Sequence, residues 1–143
     1  MSRTRLIAAI DVRALALAVA MLIVAAAPAR AQGPSDDSWA APERASHRAN
    51  PVLATTDVLK KGQQLFHRDC EQCHGRAGHG DGPQSGSLEK RPADLASERV
   101  QSQTDGAIFW KMTEGRGVMP KATLGESEKW AVIDYLRTLA TKH

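Results

Sequence analysis

Residues 70–74 read CEQCH and hold both cysteines of the 143-residue chain. Upstream of this stretch, apolar residues and one glycine recur at spacings of three and four, namely Val58, Leu59, Gly62, Leu65 and Phe66. This period predicts one face of a helix, whose start Thr55 or Thr56 is suited to cap. The sequence therefore places two thiols and an imidazole together where a helix ends.

The order Cys-x-x-Cys-His is the signature of covalent haem attachment in c-type cytochromes. The thiols of Cys70 and Cys73 can each add to one vinyl group of the porphyrin. The neighbouring His74 can then present its imidazole to the iron. We predict one covalently bound haem c per chain, with His74 as an axial ligand.

Three other functions of a Cys-x-x-Cys pair are weighed against haem attachment. A thioredoxin-like redox motif would follow a strand, whereas this pair ends a predicted helix. A zinc site would need His67 and His79 as ligands, because His74 adjoins Cys73 too closely to share a tetrahedral ion with it. A structural disulfide would close a very small loop and would stabilise the fold little. The pattern favours haem attachment.

The iron needs a second axial ligand, for which we predict Met119. It lies in residues 115–120 (GRGVMP), a loop that Pro120 helps to keep extended. A thioether ligand favours ferrous iron and raises the reduction potential relative to a second histidine. Met112 is the alternative, but it lies on the apolar face of a predicted helix, where methionine usually fills the core. The other candidates are interpreted as surface histidines: His47, His67, His79 and His143.

The rest of the pattern predicts an all-α fold with three main helices and long glycine-rich loops. Residues 75–103 contain five glycines and two prolines without an apolar period, which is typical of a loop. A second helix begins at Thr104 and is stopped by Gly115 or Gly117. The last helix begins near Gly125 and carries an apolar face.

Residues 1–31 are predicted to be a signal peptide. Arg3 and Arg5 supply a basic start ahead of an apolar core at residues 14–27, and residues 29–31 (ARA) fit a cleavage site that would leave Gln32 first. An uncleaved membrane anchor is the alternative, although this core is shorter than the ~20 residues that span a bilayer. We therefore expect a periplasmic protein, either free or peripheral to the inner membrane.

The charge distribution argues against a nucleic-acid partner. The formal net charge of +3 arises within residues 1–31, and the remaining chain holds as many acidic as basic side chains. Nucleic-acid binding depends on a surplus of positive charge. Residues 32–56 are rich in proline, alanine and serine and are predicted to form an extended strap or linker, with a disordered leader as the alternative.

Residues 57–139 resemble the small class I cytochrome c fold, and more narrowly the bacterial monohaem cytochromes of respiratory complexes. The resemblance is carried by motifs spread along the chain: Gly62, Phe66, residues 70–75, 80–83 (GDGP), 92–95 (PADL), Met119 with Pro120, and residues 130–136. Residues 39–42 (WAAP) and Asn50-Pro51 also resemble a leader found in part of that group. We accordingly predict a cytochrome c domain over residues 57–143.

The resemblance implies the same haem-binding residues as the motifs. It also implies that a proline carbonyl accepts the ring N–H of the axial His74, and Pro92 matches best, with Pro83 as the alternative. One departure is Gly125, where the group commonly has a Ser or Thr helix cap.

A crossing of the first and last helices is a further implication of the resemblance. Such a crossing needs a glycine where an aromatic residue approaches. Gly62 facing Tyr135, with Phe66 facing Val132, fits that arrangement.

The function predicted from these observations is electron transfer rather than catalysis, between a redox-protein donor and a redox-protein acceptor. With both axial positions filled by the protein, the iron has no open site for a substrate. A second hypothesis is a haem subunit of a membrane respiratory complex or a periplasmic dehydrogenase, which the strap favours. A third is a haem sensor or peroxidase-like enzyme in which Met119 dissociates.

Overall fold

The computed structural model of the chain describes residues 39–140. These residues contain six α-helices and one short 3₁₀ helix, Ser85–Ser87; the α-helices are α1 Glu43–Ser46, α2 Thr56–Asp69, α3 Glu71–His74, α4 Glu98–Gln101, α5 Asp105–Glu114 and α6 Glu126–Thr138. The predicted all-α fold is confirmed, and α2, α5 and α6 are its three main helices. The predicted signal peptide, the first seven residues of the strap and His143 lie outside the described residues.

The ends of the main helices follow from local chemistry. The hydroxyls of Thr55 and Thr104 accept backbone N–H groups in the first turns of α2 and α5. Helix α6 begins after Gly125, whose amide donates to the Glu128 carboxylate at 3.1 Å, so the acidic residue supplies one half of a capping box. Helix α5 ends before Gly115, which adopts a φ of 61°. Over residues 39–140, no helix combines the length and hydropathy that crossing a membrane requires.

Helices α2 and α6 cross at Gly62. A Cβ atom placed on Gly62 would lie 2.0 Å from the Ala131 carbonyl oxygen and 3.1 Å from the Tyr135 Cβ. Only a glycine allows the two backbones to approach this closely, so the predicted pairing of Gly62 with Tyr135 is confirmed. Phe66 is fully buried, and its ring contact is with Tyr135 at a centroid distance of 5.4 Å. Val132 belongs to the same buried cluster.

The apolar core joins α2, α5 and α6. Its buried members are Leu65, Phe66, Val100, Ile108, Phe109, Met112, Leu124, Trp130, Val132, Ile133, Tyr135 and Leu136. Phe109 of α5 stacks on Trp130 of α6 at a centroid distance of 4.2 Å. Met112 lies inside this core, as its position on the apolar face of the helix predicts.

The described part of the strap, residues 39–55, packs along α5. A Cβ atom on Gly106 would lie 2.2 Å from the Ala45 carbonyl oxygen, so α1 lies directly against the start of α5. The Thr104 hydroxyl donates to the Ser46 carbonyl at 2.7 Å. The predicted extended strap therefore contains a helical turn and is seated on the main helices.

Side chains of the strap also contact α5 and α6. The Arg48 guanidinium lies 4.5 Å from the centroid of the Phe109 ring, and it also pairs with Glu126. The Asn50 amide donates to the Asp134 carboxylate at 2.8 Å. These contacts are polar and directional. An apolar period in the sequence therefore does not predict them.

Candidate haem-binding site

The cysteine pair lies where α2 passes into the single turn of α3. The Cys70 amide still donates to the Phe66 carbonyl at 2.9 Å, and the His74 amide donates to the Cys70 carbonyl at 2.9 Å. Residues three apart in such a turn lie on one side of it, so the two thiols are side by side and His74 follows directly. Both Cys70 and Cys73 are free and half-buried.

The two thiols differ in their surroundings. Burial raises the pKa of the Cys70 thiol to about 12, with the nearby Asp69 adding to the effect, so this group stays protonated at neutral pH. The Cys73 thiol lies 3.7 Å from the Gln84 side-chain oxygen. Neither thiol is engaged in a disulfide, and both are therefore available for thioether bonds.

The His74 ring is held by a backbone carbonyl. Its Nδ1 atom lies 3.1 Å from the Ala93 oxygen. Because a carbonyl can only accept, Nδ1 carries the proton and Nε2 carries the lone pair that binds a metal. Burial lowers the pKa of His74, and the hydrogen bond to Ala93 acts in the opposite sense. The ring therefore has the tautomer that an axial ligand requires.

The prediction that Pro92, or alternatively Pro83, accepts this hydrogen bond is wrong by one residue. The acceptor is Ala93. The Pro92 carbonyl lies against Gly80 instead, since a Cβ on Gly80 would be 2.3 Å from the Pro92 oxygen. Every residue has a carbonyl, so the sequence held no signal that could separate Ala93 from its neighbour.

Met119 lies in a loop closed by its own backbone. The Arg116 amide donates to the Met119 carbonyl at 2.8 Å, and the Met119 amide donates back to the Arg116 carbonyl at 3.0 Å. Met119 is half-buried and packs against the core cluster, whereas Met112 is 6% exposed and lies inside it. The axial role of Met119 stays a prediction, and the burial of Met112 agrees with its interpretation as core.

The other described histidines have neighbours of their own. His47 is exposed beside Glu43, and the His79 Nδ1 lies 3.2 Å from the Asp94 carboxylate. His67, interpreted as a surface histidine, is 25% exposed, with its Nδ1 2.6 Å from the Glu71 carboxylate. The four-residue spacing of this pair on successive helical turns was the available signal.

The residues of the site fit a haem c group. Two free thiols in one turn and an imidazole with Nε2 available are groups that can attach and ligate a haem c, and the Met119 thioether is of the type that can supply a second ligand. Within residues 39–140, no group of three or more His, Cys, Asp or Glu side chains is placed to hold a metal ion. The zinc alternative therefore gains no support in the part of the chain that the structure describes.

Comparisons with known proteins agree with the site. No curated protein sequence matches the chain. A chain of the Kuenenia stuttgartiensis reducing HAO-like protein complex Kustc0457/Kustc0458 has a similar fold, with a TM-score of 0.58 and 23% sequence identity. The match covers 64% of this chain and 47% of the other chain, so the present chain spans about half the length of that similar chain.

Residues 57–136, more than half of the chain, match the family model described as cytochrome c oxidase, cbb3-type, subunit III. The chain belongs to this family of haem-binding cytochrome c domains.

Proposed function

We propose that the chain is a periplasmic electron carrier with one haem c, bound covalently by Cys70 and Cys73 and ligated by His74 and Met119. The observation that carries the proposal is the His74 ring, fixed by the Ala93 carbonyl with Nε2 available, directly beside two free thiols. The haem supplies one-electron chemistry at its iron. Membership of the family supports haem-based electron transfer.

Different residues of the chain have different roles in holding the haem. The two cysteines retain the group covalently, which a small domain with an exposed site needs. The Ala93 carbonyl orients His74 and raises the basicity of its ring. The thioether of Met119, in the loop closed by its backbone pairing with Arg116, would be the second ligand. A haem held by His74 and Met119 would exchange single electrons and would offer no place at its iron for a substrate.

A matched pair of methionine variants tests the ligand set. The oxidised wild type, produced with the cytochrome maturation machinery, should show the weak near-infrared band of an Fe–S(Met) bond. Met119→Ala should lose this band, and Met112→Ala should keep it while losing stability, because Met112 fills the core. Loss of the band in Met112→Ala alone would overturn the assignment of Met119.

Cell fractionation tests the compartment. The proposal predicts haem protein in the periplasmic fraction, with an N-terminus at or within about two residues of Gln32. An intact chain from Met1 in the membrane fraction would contradict the cleaved form and support a tethered carrier.

A haem subunit of a larger complex is the second candidate function. It is supported by the description of the family as an oxidase subunit and by the similar structure, which is a chain of a protein complex. The packing of residues 39–55 on their own domain removes the strap as an argument for it. Gentle extraction decides between the two: a carrier should elute at the size of the single chain, and a subunit should co-purify with membrane enzymes in constant ratio.

A further inference from the structure

The strap reaches the loop that carries Met119. It runs antiparallel to α5, so that Ala45 lies at the start of the helix and Trp39 lies at its end. The Trp39 ring is 5.5 Å from the Lys111 ammonium nitrogen and 5.9 Å from the Arg116 guanidinium carbon. Both distances fall within the ~6 Å range of a cation–π contact. Trp39 therefore bridges α5 and the residue that follows its C-terminal glycine.

Arg116 is the backbone partner of Met119. Their amides and carbonyls exchange two hydrogen bonds, so Met119 cannot move away without breaking or carrying this pair. The loop is fixed on α5 at its far end, where the Ala122 amide donates to the Met112 carbonyl at 2.8 Å. Between these ends, the Trp39 ring is a contact that another segment of the chain supplies.

The strap is attached to α5 and the core by contacts of Ala45, Ser46 and Arg48. Gly106 admits the Ala45 carbonyl, and the Thr104 hydroxyl binds the Ser46 carbonyl. The Arg48 guanidinium then covers Phe109 and Trp130. These contacts hold the strap on α5 and the core through residues other than Trp39.

We propose that Trp39 is a positioning residue for Met119, acting through Arg116. The strap holds the loop of residues 115–120 in the conformation that presents the thioether, and so sets how readily an external ligand replaces Met119 on the iron. The proposal rests on the proposed ligation by Met119. In this proposal the strap holds a loop of its own domain. A linker, or a segment that binds a partner, would not have that role.

Imidazole competition measures this role directly. The oxidised holoprotein is titrated with imidazole, and the loss of the near-infrared Fe–S(Met) band gives a dissociation constant. Trp39→Ala should lower the imidazole dissociation constant about threefold, so that imidazole binds more tightly. This change corresponds to the free energy of one exposed cation–π contact. Trp39→Phe should lie between this variant and the wild type. The control is Leu53→Ala, which removes an 80% exposed side chain from the other end of the strap.

A double-mutant cycle shows whether Arg116 transmits the effect. Arg116→Gln should by itself lower the imidazole dissociation constant, and Trp39→Ala should add almost nothing in that background. As a second readout, trypsin should cut after Arg116 faster in Trp39→Ala than in the wild type or Leu53→Ala.

Two results overturn the proposal in different ways. If the wild type shows the band, but Trp39→Ala changes neither the imidazole constant nor the cleavage after Arg116, the positioning role fails and the ligand assignment stands. If the wild type lacks the band, the ligation by Met119 fails and the positioning role fails with it.

Discussion

Two close approaches of backbone to glycine hold this domain together, and they differ in their surroundings. At the helix crossing, a Cβ on Gly62 would lie 2.0 Å from the carbonyl oxygen of Ala131; at the strap, a Cβ on Gly106 would lie 2.2 Å from that of Ala45. Buried apolar side chains surround the crossing. Around the strap the contacts come from hydroxyl, guanidinium and amide groups, as with Arg48.

The helix crossing and the strap show which kinds of contact can be predicted from a sequence. Apolar burial is non-directional and grows with area, so a helix must repeat apolar residues along one face to achieve it. Directed polar contacts need one donor and one acceptor each, and they leave no period. The crossing should accordingly carry more of the stability, and the strap should be separable from it.

Gly62→Val should produce the largest effect. Its side chain would meet the Ala131 backbone, which cannot rotate away, so α2 and α6 must separate. We expect a loss of about 3 kcal/mol in the free energy of unfolding, measured by chemical denaturation of the holoprotein. The reduction potential should move little.

Gly62→Ala sharpens the same comparison. An exposed mid-helix glycine would be stabilised by about 1 kcal/mol on replacement by alanine, whereas the tight approach at Gly62 predicts destabilisation. A stabilising Gly62→Ala would contradict the crossing.

Gly106→Ala should cost less, about 1–2 kcal/mol, because the strap can lift from α5 while the core stays closed. Lifting should also expose the strap to trypsin at Arg44 and Arg48. The matched control is Gly86→Ala, since a Cβ there meets nothing within 4 Å. Equal stability of the Gly106 and Gly86 variants would show that the strap is loosely attached.

Arg48→Ala should cost about 1 kcal/mol. The guanidinium covers the Phe109 and Trp130 rings and pairs with Glu126, and cation–π contacts at partly exposed sites are of this size. Arg44→Ala, a change at an exposed position of α1, serves as the control in the same thermal denaturation series. A cost shared by both variants would assign the effect to helix α1 rather than to the ring contacts.

The smallest effect concerns Asp134, the strap partner of Asn50. Burial raises the pKa of this carboxyl, and the nearby Asp105 adds to the rise. The folded protein therefore holds its proton more tightly than the unfolded chain, so ionisation at neutral pH opposes folding. Asp134→Asn should raise the melting temperature slightly at pH 7, and the gain should vanish as the pH falls toward 4. A gain that does not depend on pH would contradict this explanation.

The sequence predicted a structural feature best where the physical requirement of that feature allows only one residue pattern. The haem-attachment turn, the threonine caps at Thr55 and Thr104 and the glycine crossing all followed from spacing or from the resemblance. Each needs a particular side chain, or the lack of one, at a fixed position. These features correspond to the three main helices and to the attachment turn of the candidate site.

Other features depend on tertiary placement and could not be predicted. The acceptor for His74 is a backbone carbonyl, so the identity of Ala93 carries no information about its role. His67 is half-buried because the crossing brings Tyr135 beside it. The strap reads as extended in the sequence because its contacts lie 58 and 84 residues away along the chain.

The mass of the denatured protein tests the covalent attachment of haem through both thiols. Wild type and Met119→Ala, each exported with the maturation machinery, should carry one haem per chain that survives denaturation. Cys70→Ala and Cys73→Ala should each lose most of this covalent haem. Normal covalent haem in either cysteine variant, or none in the wild type, would show that the two thiols do not attach haem as proposed.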